Sequence, residues 1–249
     1  MMKINRITQS ILIFLLSAFA LSVFAEDGDT PTASELAVQR TPNSLSAMPI
    51  GQMFTYFMVM LGPIKLLAPF VKISRGLDAP ATRMLAFKGF LYACLAGFAA
   101  VALGKNTLAN WGVGLPSLLI AAGLVLLLVA LKSVLAQYDQ QPVPAGDSPQ
   151  PSAKMLALSP LAFPIIITPY GIAAFILLDA ASSPEQNLTI LGVFMAVMVL
   201  NLLAMLFARA IIKYCATVLT ILGAVLGVLQ VALAVQMILL AFRMLGVLH

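Results

Sequence analysis

Six apolar stretches, each about as long as a membrane span, constrain this chain more than any other feature of its sequence. They cover roughly residues 50–71, 84–104, 113–134, 155–179, 188–209 and 215–241. Crossing about 30 Å of hydrocarbon takes about 20 residues of helix, and each stretch supplies that length. Backbone polar groups cannot stay unpaired in lipid, so such stretches fold as helices. We therefore expect an all-α, polytopic membrane protein with six transmembrane helices.

The composition supports the same class and excludes others. Of the 249 residues, 61% are hydrophobic and only 9% are charged, whereas a soluble domain has about 25% charged residues. The net charge of +5 would suit a nucleic-acid partner, but the fourteen basic residues are spread thinly between apolar stretches and form no basic face. We predict the lipid bilayer as a partner and no nucleic acid.

The sequence offers little material for catalysis or metal binding. Its one histidine, His249, is the last residue, and Cys94 and Cys215 lie far apart inside apolar stretches. A metal cluster or a Ser-His-Asp arrangement needs several such side chains near one another. We therefore predict no metal site, no cofactor and no enzymatic activity.

The N-terminus has the pattern of a secretory signal. A basic start precedes a short apolar stretch that ends in Val23-Phe24-Ala25, with compact residues before a cleavage point. We predict a signal peptide at residues 1–25, with an uncleaved anchor helix as the alternative. Residues 26–47 are polar and lack apolar periodicity, which predicts a flexible extracytoplasmic segment. The membrane domain then occupies residues 48–249.

Basic residues set the direction of the spans. If residue 26 lies outside, the inner side collects eight basic residues: Lys72, Arg75, Arg83, Lys88, Lys132, Lys154, Arg209 and Lys213. The outer side has only Arg40, Lys105 and Arg243. This asymmetry agrees with the positive-inside rule. It predicts that both mature termini are extracytoplasmic and that a proline-rich linker at residues 138–154 is cytoplasmic.

Spans one and four both contain prolines within their apolar stretches. Span one includes Gly62-Pro63 and Pro69, and span four includes Pro160, Pro164 and Thr168-Pro169. Proline removes a backbone donor and clashes with the carbonyl four residues earlier, so these helices should kink or break. The carbonyls freed at that depth must be buried in protein or line a wet cavity.

The matching prolines indicate two related halves. Spans three and six also correspond loosely, since Ala121-Ala122-Gly123 in one and Gly223 with Gly227 in the other precede aliphatic stretches. Three spans per half would give the halves opposite orientations. We predict two inverted three-helix repeats with broken helices one and four, an arrangement typical of secondary transporters.

At these segments the chain resembles the MarC family of integral membrane proteins. The resemblance covers most of residues 50–242 and is most specific at Pro160-Leu161-Ala162-Phe163-Pro164, followed by Thr168-Pro169-Tyr170-Gly171-Ile172. Gly62-Pro63-Ile64 to Phe70 is similar to the family's N-P-x-G-x-x-P-x-F, and Val235-Gln236-Met237-Ile238 to its V-Q-x-I. The resemblance implies a six-span, multi-pass protein of the bacterial inner membrane, related to LysE-type exporters and to transporters of neutral amino acids.

Two positions at the first break depart from the family's pattern. Gly62 stands where the family has asparagine, and Lys65 stands where it has glycine. These departures keep open a second hypothesis, a membrane scaffold or assembly protein that transports nothing. The first hypothesis remains a secondary transporter or exporter of a small polar solute, working by alternating access around spans one and four.

The candidate substrate-binding residues lie at the two breaks and near the C-terminus. Lys65 is the one charged residue well inside a span: its ammonium either lines the cavity and binds a carboxylate, or snorkels to the inner interface. The half-helix starts at Gly62-Pro63 and Pro169 offer backbone amides to an anionic group. The Thr168 hydroxyl either contacts the solute or bonds to its own helix. Gln236 matches the family pattern and completes the set.

A second group of polar and small residues is assigned to helix packing. Gly223, Gly227 and Gln230 share one face of span six, where the glycines permit close approach and Gln230 hydrogen-bonds to another helix. Asn201 is a further uncharged polar residue, in span five. The small-residue faces allow a homodimer. No carboxylate lies in the interior of a span, which argues against proton coupling through Asp or Glu.

Overall fold

The computed structural model describes residues 50–135, 156–182 and 184–247, and the regular elements in these ranges are helices. They are α1 (Ile50–Leu61), α2 (Pro63–Ile73), α3 (Ala79–Asn110), α4 (Leu115–Leu135), α5 (Pro169–Ala181) and α6 (Pro184–Met244). A π-helical stretch with two prolines, called the proline segment below, precedes α5 at Ala157–Ile166. The predicted signal peptide, the extracytoplasmic segment 26–47 and the linker 138–154 lie outside the described residues, as does His249.

Five helical stretches within the described residues are long and apolar enough to cross a membrane: Ile50–Ile73, Ala79–Leu108, Leu115–Leu135, Gln186–Lys213 and Val218–Met244. The proline segment and α5 together make a sixth candidate, bent by 60° at residues 167–168. The prediction of an all-α, multi-pass membrane protein is therefore confirmed, with five spans, or six when the bent pair counts as one. The bend falls in span four, where the prolines predicted a break.

The surface of these helices is apolar where they face outward. Large hydrophobic side chains on several spans are strongly exposed, including Leu128 at 68%, Leu103 at 65% and Val228 at 62%. In water such a surface would promote association. In a bilayer the same side chains meet hydrocarbon, so the exposure fits a membrane-embedded bundle.

Close packing along α3 holds this long helix against its neighbours. Its 32 residues extend about 48 Å, beyond both ends of the predicted stretch 84–104. Three of its glycines sit where a Cβ would lie only 2.6 Å from a neighbouring side chain, in the pairs Gly89–Leu161, Gly97–Phe194 and Gly104–Ile176. Small residues at such crossings let backbones approach closely, which is the main source of packing in a membrane.

Spans five and six form one continuous run of helix that folds back at Cys215. The backbone there leaves helical geometry, with φ −128° and ψ 19°. Asn201 and Gln230 would be about 43 Å apart on a straight helix. Yet they hydrogen-bond to the carbonyls of Leu61 and Val59, two residues apart in span one. The two halves of α6 must therefore run side by side.

An aromatic cluster joins four spans at the core. The ring of Phe194 stacks on Phe175 at 4.5 Å between centroids and meets Phe57 and Phe98 edge-on at 6.1 and 5.9 Å. Phe57 also meets Phe175 edge-on at 5.5 Å. Such pairs contribute about 0.5–1.5 kcal/mol each beyond burial alone. The cluster fixes α1, α3, α5 and the first half of α6 relative to one another.

Arg209 ties the end of span one to the end of span five. Its Nη2 donates to the carbonyl oxygens of Ser74 and Leu77 at 3.0 and 2.7 Å, and to the Thr82 hydroxyl at 3.0 Å. Ser74 and Leu77 belong to the turn between α2 and α3, in which Gly76 takes a left-handed φ of 82°. The ends of spans one and five thus lie on the same side of the membrane.

Candidate functional site

The break in span one leaves three consecutive backbone carbonyls without a helical partner. Pro63 has no N–H, so the Val59 carbonyl four residues earlier loses its donor. Gly62 has extended backbone angles, φ −72° and ψ 165°. This turns the amides that follow away from the carbonyls of Met60 and Leu61. A buried carbonyl without a partner costs several kcal/mol in hydrocarbon, so these groups need other donors.

Three side chains supply those donors. Gln230 Nε2 donates to the Val59 carbonyl at 2.8 Å, and Asn201 Nδ2 donates to the Leu61 carbonyl at 2.7 Å. The Lys65 ammonium donates to the Met60 carbonyl at 2.6 Å. Asn201 and Gln230 are nearly fully buried, at 1% and 3% exposure. Of the two alternatives, burial in protein or a wet cavity, these carbonyls show the first, with donors from spans one, five and six.

Gly62 is required by a close approach at this break. A Cβ at this position would run into the carbonyl oxygen of Met58. The asparagine that the family pattern has here could not be accommodated without a shift of the backbone. The substitution of glycine for asparagine therefore accompanies a local geometry in which the chain passes close to its own preceding turn.

The break in span four is capped by its own residues. Thr168 has extended angles and its hydroxyl accepts a hydrogen bond from the Gly171 amide at 3.2 Å. Pro169 occupies the first helical position, where a missing N–H costs nothing. The Thr168 hydroxyl is therefore the N-cap of α5, whereas Gly62 at the start of α2 has no side chain to cap its helix.

The two breaks lie against each other. The Lys65 ammonium, besides holding the Met60 carbonyl, donates to the Tyr170 hydroxyl at 2.9 Å and lies 5.1 Å from the centre of its ring. Close packing joins the same elements, because a Cβ on Gly171 would meet the Leu61 side chain. Broken helices one and four, predicted from their prolines, thus meet through Lys65 and Tyr170.

The direction of the Lys65 side chain distinguishes between its two predicted roles, lining the cavity and snorkelling to the inner interface. A snorkelling lysine would extend toward Val71 and the inner interface. Its ammonium instead reaches back to Met60, five residues earlier, and across to span four. The side chain is half-buried. It lies within the break rather than at the end of the span.

The other sequence-predicted residues separate into two places. Gly62, Pro63, Lys65, Thr168 and Pro169 come together at the paired breaks. Gln236 is half-buried on span six, six residues beyond the buried Gln230, and among the described residues no hydrogen bond joins it to the break. The amide that reaches the break from span six is Gln230, which we had assigned to helix packing.

Span six packs through part of its small-residue face. A Cβ on Gly123 of α4 would lie 3.0 Å from the Ala234 carbonyl and 2.8 Å from the Ile238 side chain, so spans three and six cross closely there. Gly227 is buried and Gly223 half-buried. A Cβ at Gly223 would meet nothing within 4 Å.

Sequence reasoning did not place Asn201 and Tyr170 at the site. Asn201 was visible as a carboxamide in an apolar stretch, and such residues usually serve another helix. Tyr170 was visible only as an amphipathic ring directly after a helix-starting proline, and a buried tyrosine hydroxyl usually finds a partner. Their partners lie more than a hundred residues away along the chain, at Leu61 and Lys65.

One acceptor at the site has no partner within the described part of the chain. Asn201 Oδ1 is buried, while Nδ2 of the same amide donates to the Leu61 carbonyl. The same break also contains the Lys65 ammonium and the uncapped start of α2. The arrangement therefore offers donors to an anionic group and one acceptor to a donor group. Within the described residues there is no cluster of His, Cys, Asp or Glu that could hold a metal ion.

Comparison with known proteins gives the family. The model of the MarC family integral membrane proteins matches residues 47–245, four-fifths of the sequence. The chain belongs to the MarC family. The searches of curated proteins and of solved structures each returned no match. The MarC resemblance drawn from the proline motifs is confirmed, and the match spans both breaks and every described span.

Proposed function

We propose that this MarC protein is a secondary transporter or exporter of a small polar solute, with a neutral amino acid as the favoured class. The observation that carries the proposal is the contact between the two broken helices through Lys65 and Tyr170. Paired half-helices at mid-membrane are where secondary transporters hold their substrates. Proteins of this family are generally transporters without enzymatic activity.

The chemistry of the breaks favours a zwitterion. Its carboxylate accepts from the Lys65 ammonium and from the amides at the uncapped start of α2, where the helix dipole favours negative charge. Its ammonium donates to Asn201 Oδ1, the buried acceptor without a partner among the described residues. A solute with one group of each kind satisfies both sides of the site. Gln236 and Thr168 stay in the proposed substrate-binding set.

Solute binding would change how the two breaks are held together. Lys65 links the Met60 carbonyl of span one to the Tyr170 hydroxyl of span four. A carboxylate competes for the same ammonium and loosens that link. Spans one and four are then able to move relative to each other, which is the step that alternating access needs. In this scheme the two halves are inverted three-helix repeats, with Gly62-Pro63 and Thr168-Pro169 as equivalent points.

The proposal includes a location and an orientation. The chain is a multi-pass integral membrane protein. We assign it to the bacterial inner membrane because of its family, and place both mature termini outside because of its basic residues and predicted signal peptide. A homodimer through the face that includes Gly223 remains part of the proposal, because a Cβ there would meet open space.

Solute flux in proteoliposomes tests this function. Purified protein is reconstituted, and counterflow of a panel of radiolabelled neutral amino acids is measured under sodium, proton and no gradients. We expect flux of at least one solute, reduced in Lys65→Leu and Thr168→Val and retained in the matched variants Lys88→Leu and Thr189→Val. If nothing on the panel moves while the protein stays monodisperse and helical, the transport proposal is wrong.

A scaffold or assembly role is the second candidate, and one observation favours it. All three carbonyls exposed by the first break already have protein donors, so that break is closed without a solute. A scaffold would keep those hydrogen bonds at all times. It predicts no flux, and no change in the stability of the purified protein when neutral amino acids are added.

A further inference from the structure

A basic pocket lies where spans one and five end on the same side of the membrane. Arg75, Arg209 and Lys213 line it together with the turn residues Ser74 and Gly76, and it is an open depression of about 390 Å³. This volume lies in the range of about 300–1,000 Å³ that is usual for ligand sites. The apolar side chains of Val71, Leu77 and Ile212 complete the wall.

Among the described residues, the charge of the pocket is of one sign. Three cationic side chains line it, and no carboxylate is among the described residues that do so. The nearest acid along the chain, Asp78, is turned toward α3, where its Oδ1 accepts from the Ala81 amide at 3.3 Å. Such a concave cluster of cations attracts an anion with several oxygens, and a phosphate group has the geometry that arginine binds best.

Arg209 is held in place for this role. Its Nη2 is anchored to the Ser74 and Leu77 carbonyls and to the Thr82 hydroxyl. In the described structure these hydrogen bonds use Nη2 alone, while a guanidinium carries five N–H donors on three nitrogens. Fixing one nitrogen orients the others without occupying them.

An apolar stripe leads from the lipid into the pocket. Val199, Leu203 and Leu206 are exposed at 45%, 38% and 41%, and they lie on the same side of α6 as Arg209 and Lys213 by helical spacing. A phospholipid that places its phosphate among the cations lays its acyl chain along these side chains. A free phosphate ion has no apolar part to pack against the stripe, so the lipid is the better fit.

We propose that the basic pocket is a binding site for the phosphate of an anionic phospholipid headgroup. The basic residues also satisfy the positive-inside rule, but a topology signal requires charge alone and neither a pocket nor an anchored guanidinium. Basic pockets between transmembrane helices commonly take anionic headgroups. The site is separate from the paired breaks and does not depend on the proposed transport function.

Native mass spectrometry of the full-length protein with added lipid tests the site. The probes are phosphatidylglycerol, phosphatidylcholine and inorganic phosphate. The pocket variant is Arg75→Gln with Lys213→Gln, which leaves the structural Arg209 intact. The matched control is Lys72→Gln with Arg83→Gln, which removes two positive charges from the same membrane side outside the pocket. Circular dichroism and gel filtration check that each variant is folded, and Lys213→Gln alone serves if the double variant is not.

We expect the wild-type protein to retain phosphatidylglycerol in preference to phosphatidylcholine. The pocket variant should lose about thirty-fold in affinity for it, because each basic side chain near an anionic surface contributes about a factor of five. The control variant should keep most of the affinity. Equal loss in both variants would show diffuse surface charge and overturn the proposal. Displacement of the lipid by inorganic phosphate at similar concentration would overturn the assignment to a lipid.

Discussion

Lys65 links the two broken helices, because its one ammonium donates hydrogen bonds to acceptors on both. It donates hydrogen bonds to the Met60 carbonyl in its own span and to the Tyr170 hydroxyl in span four. Replacing it removes the donor for both acceptors. Replacing Tyr170 removes only one acceptor and leaves the Met60 hydrogen bond in place.

The Lys65–Tyr170 pair should therefore show coupling in a double-mutant cycle. For Lys65→Met, Tyr170→Phe and the double variant, we expect a coupling free energy of about 0.5–1.5 kcal/mol. Lys65→Met should be the more destabilising single change. Unfolding in a denaturing detergent, followed by circular dichroism, measures all four proteins. Strictly additive losses would contradict the contact, and Lys88→Met is the control for loss of a lysine elsewhere.

Gly62 and Gly223 make a matched pair of glycines in opposite surroundings. A Cβ on Gly62 would run into the Met58 carbonyl, while one on Gly223 would meet nothing within 4 Å. We expect Gly62→Ala to lower the free energy of unfolding by about 1–3 kcal/mol, as overpacking does. Gly223→Ala should raise it by up to about 1 kcal/mol, because alanine is the better helix former. Unfolding midpoints measure both, and equal midpoints would refute the close approach.

At the scale of single residues, sequence reasoning found the breaks but not all of their partners. Gly62-Pro63 and Thr168-Pro169 were predictable because proline and glycine act on their own backbone, within four residues. Asn201 and Tyr170 act on residues more than a hundred positions away. No local pattern shows which polar side chain in another span will reach a freed carbonyl, so their place at the site required the folded chain.

At the scale of elements, the break in span one depends on two other spans. Its freed carbonyls are held by Asn201 from the first half of α6 and by Gln230 from the second half. The fold-back at Cys215 brings both halves to that level. A proline break inside a membrane is thus stabilised by polar residues that the breaking helix does not itself contain.

Gln230 and Gln236 lie on the same span, so replacing each of them tests whether the break in span one depends on a donor from span six. Gln230→Leu leaves the Val59 carbonyl buried without a donor, which we expect to cost about 1–3 kcal/mol of unfolding free energy. Gln236→Leu, the same change at a half-buried position on the same span, should cost clearly less. The readout is again the unfolding transition in detergent. Similar losses for the two variants would mean that the Val59 hydrogen bond contributes little.

The elements themselves were largely predictable, because apolar length and proline position are properties of continuous sequence. The predicted stretches 113–134 and 188–209 correspond to the candidate spans Leu115–Leu135 and Gln186–Lys213. The exception is the connection between spans five and six. The predicted stretches 188–209 and 215–241 are separate, whereas the chain stays helical between them and turns at Cys215. A single non-helical residue without glycine or proline leaves no local signature.

At the scale of the whole molecule, the spans must alternate in direction across the membrane. The structure places the ends of spans one and five on one side through Arg209. Which side faces the cytoplasm is predicted from the basic residues and the signal peptide. The linker 138–154 should then be cytoplasmic, and the turn after α3 should be extracytoplasmic.

Cysteine labelling tests that orientation in intact cells. In protein with Cys94→Ala and Cys215→Ala, single cysteines are introduced as Ser148→Cys in the linker and Asn110→Cys at the end of α3. An impermeant thiol reagent added outside should modify Asn110→Cys at once, and Ser148→Cys only after the membrane is opened. The reverse pattern would invert the orientation, and would leave the paired breaks unchanged.

In the proposed mechanism, the paired breaks form a solute site that solutes reach from each side of the membrane in turn. This site is tested by the rate at which a small hydrophilic thiol reagent modifies Thr168→Cys in the cysteine-free protein, applied from each side of reconstituted vesicles. The lipid-facing variant Leu128→Cys is the control and should not react. We predict that Thr168→Cys reacts from both sides and that a transported amino acid slows the reaction. A folded protein in which Thr168→Cys reacts from neither side would contradict a solute site at the paired breaks.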